Sequence, residues 1–143
     1  MPLSLRPPAP KPCESCPYRR EAPAGIWASE EYEKLRHYDA DTPNQPTRVF
    51  QCHQADIDSD AGRICAGWAG CHEGEHLLAL RLAVVNGHIN AATYKTVVDY
   101  ESPVPLFSAG AEAAAHGQAG IDTPTEEARR MISKISRMRR DLR

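Results

Sequence analysis

All five cysteines of this 143-residue chain fall between positions 13 and 71. Cys13-Glu14-Ser15-Cys16 is a C-x2-C pair, and Cys52-His53, Cys65 and Cys71-His72 follow it. Two thiolates three residues apart can grip one metal from a single turn, and two more from distant sequence can close a tetrahedron around it. Such a site ties the N-terminal third of the chain to its middle and so restricts the topology more than any hydrophobic period does. The rest of the composition leaves room for that role. Aromatic residues are only 6% of the chain, so the core is aliphatic, alanine-rich and modest, and a small core benefits from a metal staple.

The economical ligand set is four thiolates, Cys13, Cys16, Cys52 and Cys65. His53, Cys71 and His72 are reserve ligands, since a Cys3His site would replace one thiolate by a histidine. Cys13 and Cys16 lie in a polar, proline-flanked stretch unsuited to a core, whereas Cys52, Cys65 and Cys71 have the alternative of being small buried hydrophobes. A disulfide framework fits less well, because the count is odd and the N-terminus lacks the apolar segment of an export signal. No run of about 18 apolar residues is present. The expectation is a cytoplasmic protein with reduced thiols and no membrane span. Zinc suits the set through its demand for four N/S ligands, and the adjacent histidines favour it. A 4Fe-4S cluster is the alternative, because Cys16-Pro17 matches the cysteine–proline step of ferredoxin-type sites.

Along the chain, five prolines within residues 1–12 predict an extended arm, mobile up to Cys13. Residues 13–121 are expected to form the metal-binding domain, and residues 122–143 a basic amphipathic helix packed on it. Ser29, followed by Glu30 and Glu31, reads as a helix start, with Tyr32, Leu35 and Tyr38 facing inward and a stop near Asp39. Residues 47–52 are a short strand candidate. Residues 56–62 form a surface loop that places acids at alternate positions. A calcium loop would need a glutamate at its twelfth position, where Gly67 stands. Residues 63–87 predict a central buried helix ending at Gly87. Residues 89–100 fit helix or strand. Residues 108–116 predict an alanine-rich helix closed by Gly117. Thr123-Pro124-Thr125-Glu126 reads as a capping box opening the last helix, with Ala128, Met131, Ile132, Ile135 and Met138 on its apolar stripe.

Two further patterns point to other activities. His72-Glu73-Gly74-Glu75-His76 matches H-E-x-x-H, in which two histidines on one helical face hold zinc and the glutamate acts as general base. A metal-dependent hydrolase is therefore an alternative reading. Against it, Gly74 costs roughly 1 kcal/mol of helix propensity, Glu75 puts a charge where an apolar residue belongs, and the plainer reading is a polar surface turn before the buried helix. The last segment carries Arg129, Arg130, Lys134, Arg137, Arg139 and Arg140, which allow phosphate contacts with a nucleic acid. No aromatic residues interleave with them, as base stacking would require. The overall net charge of −2 shows no bulk preference for nucleic acid or anionic membrane. No glycine-rich phosphate loop is present.

The run Cys13-Glu14-Ser15-Cys16-Pro17-Tyr18-Arg19-Arg20, with Gly25-Ile26-Trp27, Glu31-Tyr32, Phe50-Gln51-Cys52-His53-Gln54 and Cys65-Ala66-Gly67-Trp68, resembles a family of small uncharacterised proteins from actinobacteria and their phages. The likeness extends from Pro12 to about Gly117. It implies Cys13, Cys16, Cys52 and Cys65 as the recurring set with His53 as companion, and leaves Cys71 out. A weaker likeness links the C-x2-C pair and the Gly–aliphatic–Trp turn to WhiB-like iron–sulfur regulators, whose cysteine order and distances differ. The combined expectation is a small, mainly α single domain with short strands or irregular segments around a cysteine-rich metal site. It would act as a binding module for a protein partner, with Trp27 and Trp68 shielding the site.

Overall fold

The spacing of Tyr32, Leu35 and Tyr38 sets the centre of the fold. Tyr32 and Leu35 lie on the inner face of a helix, Tyr38 caps its C-terminus, and all three are buried. In the computed structural model, which describes residues 4–53 and 62–139, six helices follow one another. They are α1 (Ser29–His37), α2 (Ala66–Cys71), α3 (Leu78–Val85), α4 (Ala91–Val98), α5 (Gly110–Ala119) and α6 (Glu126–Met138). Short 3-10 turns occupy Thr42–Asn44 and Gly74–His76. The chain is thus a mainly helical small domain. Among the described residues, β pairing is limited to the isolated bridges Arg6↔Arg63, Arg19↔Leu106 and Gln51↔Ile64.

Helix α5 packs on α1 through small residues. A Cβ added at Gly110 would stand 2.0 Å from the Leu35 carbonyl oxygen, and one at Gly117 would stand 2.0 Å from the Tyr32 ring. Ala113 and Ala114 complete a fully buried contact. Full burial of Leu35 alone is worth about 1.5–3 kcal/mol. Gly117 therefore lies inside α5 as a contact point, not at its end as the sequence predicts, and the helix closes at Gly120. Asp39, just beyond the end of α1, reaches the start of α5, accepting the Gly110 and Ala111 amides on its two carboxylate oxygens at 2.8 Å each.

Several sequence expectations are corrected. The single helix predicted over 63–87 is broken: α2 stops at Cys71, and His72 and Glu73 are extended before the 3-10 turn. The break lets Gly74 lie against the α4 backbone, where an added Cβ would be 3.0 Å from Val98 Cα. The ambiguous segment 89–100 resolves as helix, capped by Asn90, whose side chain accepts from the Thr93 amide. The strand candidate 47–52 is a single bridge at Gln51. The cap of α6 is Thr125, which accepts from the Ala128 amide, rather than Thr123. Its stripe is buried at Ala128 and Ile135, whereas Met138 is exposed.

The proline-rich arm is docked over its described part. Leu5 N–H donates to the His88 carbonyl, Arg6 N–H to Gly62, and Ile64 N–H back to Arg6. Tyr100 Oη donates to the Pro10 carbonyl, and Pro12 is fully buried. Most of the 56–62 loop lies outside the described residues. No helix among those described is long and apolar enough to cross a membrane.

Candidate metal centre

Three backbone hydrogen bonds bring distant cysteines together. Cys16 N–H closes a turn on the Cys13 carbonyl at 3.0 Å. Cys52 N–H donates to Arg63 O at 2.8 Å and Cys65 N–H to Phe50 O at 2.9 Å, flanking the antiparallel Gln51↔Ile64 bridge. Side chains two apart on an extended segment share a face, so Cys52 and Cys65 are diagonal neighbours on one side of this bridge. The C-x2-C turn stands against that side.

The thiols form a row. Cys16 Sγ lies 3.7 Å from Cys65 Sγ. Cys13 interacts with both Cys16 and Cys52. Contact with Cys16 raises the Cys13 thiol, Cys52 opposes this and burial adds to it, leaving it at about 11. For Cys16 the contact with Cys13 lowers the pKa, but Cys65 and burial outweigh it and hold the thiol well above its ordinary value. Thiols held in this way keep their protons at neutral pH, and a cation must displace those protons to bind. None of the five cysteines is in a disulfide.

The row borders a pit of about 30 Å³ that also touches Lys11, Pro17, Trp27, His53, Arg63 and Ile64. Among the described residues, two cations and no carboxylate border it, which suits a concentration of thiolate charge. Gly67 allows the approach: a Cβ there would be 2.3 Å from Cys16 Sγ and 2.8 Å from Tyr18 Cβ. Four thiolates about 2.3 Å from a tetrahedral ion stand about 3.8 Å from one another, and the Cys16–Cys65 separation meets that requirement. The row is not yet a closed tetrahedron. Among the described residues, no three or more His, Cys, Asp or Glu side chains are arranged to hold an ion as they stand.

The reserve ligands are elsewhere or occupied. His53 Nδ1 is 3.1 Å from the Gln51 carbonyl oxygen and Nε2 is 2.8 Å from Glu31 Oε2, so both ring nitrogens are engaged. Cys71 and His72 do not border the pit. His72 packs edge-on against Tyr18, with ring centroids 5.8 Å apart, and its Nε2 is buried with no hydrogen-bond partner among the described residues. Burial pushes Cys71 up to about 12, with Asp39 and Glu112 adding to the effect. Trp27 borders the pit and donates its indole N–H to the Ser15 carbonyl at 3.0 Å. Trp68 turns instead to the aromatic core, 5.5 Å from Tyr38.

The H-E-x-x-H pattern does not lie on one helix. His72 is on an extended link and His76 ends a 3-10 turn, where it pairs with Glu73 at 3.3 Å. The shared helical face on which that chemistry depends is not formed. Of the basic residues near the C-terminus, Arg129, Arg130, Lys134 and Arg137 are exposed. Arg139 turns inward and donates to the His53 carbonyl at 2.9 Å, and Arg140 lies outside the described residues.

Fold and site together define a class: a small helical domain in which loops bring four cysteine sulfurs into one row beside a narrow pit. The chain belongs to a family of unknown function, DUF6283, whose profile matches residues 8–139. No curated protein and no solved structure matches it.

Proposed function

We propose that the protein is a metal-organised binding module in which Cys13, Cys16, Cys52 and Cys65 hold one structural zinc ion. The observation that carries this reading is the 3.7 Å separation of Cys16 and Cys65, residues 49 positions apart, at the end of a row that includes the other two thiols. That distance suits two thiolates on one ion. Ligands of a 4Fe-4S cluster sit on separate irons, further apart, and a pit of about 30 Å³ has room for a body the size of one water molecule. With both His53 nitrogens engaged, four sulfurs are the natural donor set. A four-coordinate sulfur site is closed and leaves no position for substrate, which favours a structural over a catalytic role. When bound, zinc would link the C-x2-C turn to the Gln51–Ile64 bridge, as a staple suited to a small core.

The test is metal analysis of chain purified without oxygen. The expected result is a colourless protein with one zinc per chain, lost in the Cys13→Ser and Cys65→Ser variants and retained in Cys71→Ser. Iron with sulfide, or a metal content unaffected by Cys65→Ser, would overturn the reading.

A further inference from the structure

We propose that Cys16 and Cys65 are the site of a reversible disulfide, which hydrogen peroxide installs and which dismantles the zinc site. Their Sγ atoms are 3.7 Å apart. A disulfide holds its sulfurs about 2.05 Å apart, so each needs to move only about 0.8 Å, a small turn about its χ1 torsion. The row is exposed unevenly. Cys13 and Cys52 are half-buried, whereas Cys16 and Cys65 are 1% and 4% exposed. A small oxidant therefore reaches Cys13 before Cys16, and Cys13 is in contact with Cys16. Lys11 and Arg63 border the same pit, and an electropositive, partly open setting is where cysteines react. Cys71 lies away from the pit and near the carboxylates of Asp39 and Glu112, the opposite setting.

The Cys13 thiolate attacks one peroxide oxygen: an S–O bond forms, the O–O bond breaks, and the departing hydroxide takes a proton to become water. The Cys16 thiolate then attacks the Cys13 sulfur and expels the second oxygen, which also leaves as water. The Cys65 thiolate attacks Cys16 and releases Cys13 as a thiolate. Cys16 and Cys65 have together lost two electrons, and one peroxide and two protons have become two waters. In one respect this rests on the zinc reading: sulfurs bound to the ion are already deprotonated, as each attack requires. Once the bond forms, only Cys13 and Cys52 remain as ligands, too few for a four-coordinate structural site. The bond itself joins the C-x2-C turn to the Gln51–Ile64 bridge, so the tie between them survives the loss of the ion.

The experiment treats the full chain, purified without oxygen, with equimolar hydrogen peroxide and caps the remaining thiols with N-ethylmaleimide. Mass spectrometry then maps the disulfide after cleavage at Glu14, which separates Cys13 from Cys16, while a chromophoric chelator follows zinc. The expected product is a Cys16–Cys65 bond, with one zinc released per disulfide, Cys71 capped and the helical circular dichroism spectrum kept. Dithiothreitol should reverse the bond and restore zinc binding. In the metal-free form, where loss of the ion does not enter, Cys13→Ser should slow oxidation about tenfold or more, and Cys65→Ser should stop at a Cys13–Cys16 bond. A Cys13–Cys16 bond as the wild-type end product, links between chains, sulfinic acid in place of a disulfide, or zinc kept after the bond forms would overturn the proposal. A chain that holds no zinc yet forms the Cys16–Cys65 bond would support the pairing and refute the metal reading instead.

Discussion

Gly67→Ala isolates the sulfur row from the rest of the fold. The new Cβ would stand 2.3 Å from Cys16 Sγ and 2.8 Å from Tyr18 Cβ, where ordinary contact begins near 3.4 Å. The sulfur must therefore retreat by about 1 Å, and both Cys16 and Tyr18 are 1% exposed or less, so neither can swing into solvent. Overpacking of this kind costs typically about 1–3 kcal/mol, and the gain in helix propensity within α2 returns roughly 1 kcal/mol. Net destabilisation of the metal-free chain should be about 0–2 kcal/mol. The effect on metal should be larger, because zinc ligand distances hold to about 0.2 Å and a displacement of about 1 Å removes the Cys16 ligand. Competition against a chromophoric chelator should show zinc affinity falling by about 100-fold or more, with the helical circular dichroism spectrum kept. Gly70→Ala is the control: its Cβ meets Leu106 Cδ1 at 2.7 Å, the far end of a flexible side chain, and no cysteine sulfur is among its nearest neighbours. It should leave zinc affinity unchanged. Equal zinc affinity in the Gly67→Ala and wild-type chains would refute the reasoning.

Three further outcomes follow from the geometry. Tyr18 Oη is buried without a hydrogen-bond partner among the described residues, and an unanswered buried hydroxyl costs about 1–3 kcal/mol. Tyr18→Phe should therefore leave the urea midpoint unchanged or raise it, and a loss above about 1 kcal/mol would mean that the hydroxyl is satisfied after all. Asp39→Ala removes the acceptor of two α5 amides and should lower unfolding free energy by about 0.5–2 kcal/mol, with amide exchange quickening first at Gly110 and Ala111. Glu31 is held down to about 2 by its hydrogen bond with His53, opposed by burial and reinforced by Lys34. Because the folded value is depressed, its contribution to stability is complete above the ordinary carboxyl value near 4.5 and fades as pH falls from there towards 2. The melting-temperature gap between wild type and Glu31→Gln should thus narrow over that window, and a constant gap would contradict the assignment.

The parts of this molecule that sequence could specify are those governed by local period. Tyr32, Leu35 and Tyr38 repeat at helical spacing; the first two lie buried on α1 and Tyr38 is its buried C-cap, and the Ala128–Ile135 stripe marks α6 in the same way. The C-x2-C pair and the two later cysteines predict a shared location, and all four border one pit in the structure. Features that depend on a distant partner were not legible. Gly117 has the composition of a helix stop, yet it is kept inside α5 because the Tyr32 ring occupies the space a side chain would need. The apolar run 77–85 marks α3, but reading residues 63–87 as one helical region misses the break after Cys71, which goes with the close approach of Gly74 to α4. The arm looked unattached because polyproline segments have no internal hydrogen bonds, and its partners, Gly62 and His88, lie far along the chain. His53 read as a reserve ligand because its own sequence does not reveal that Glu31 occupies one nitrogen and the Gln51 carbonyl the other.

X-ray absorption at the zinc edge of the freshly purified chain bears most directly on the sulfur site. A first shell of four sulfurs at about 2.3 Å, reduced in the Cys16→Ser variant, is the predicted result. A shell containing nitrogen or oxygen in the wild-type chain, or the absence of a zinc edge, would contradict it.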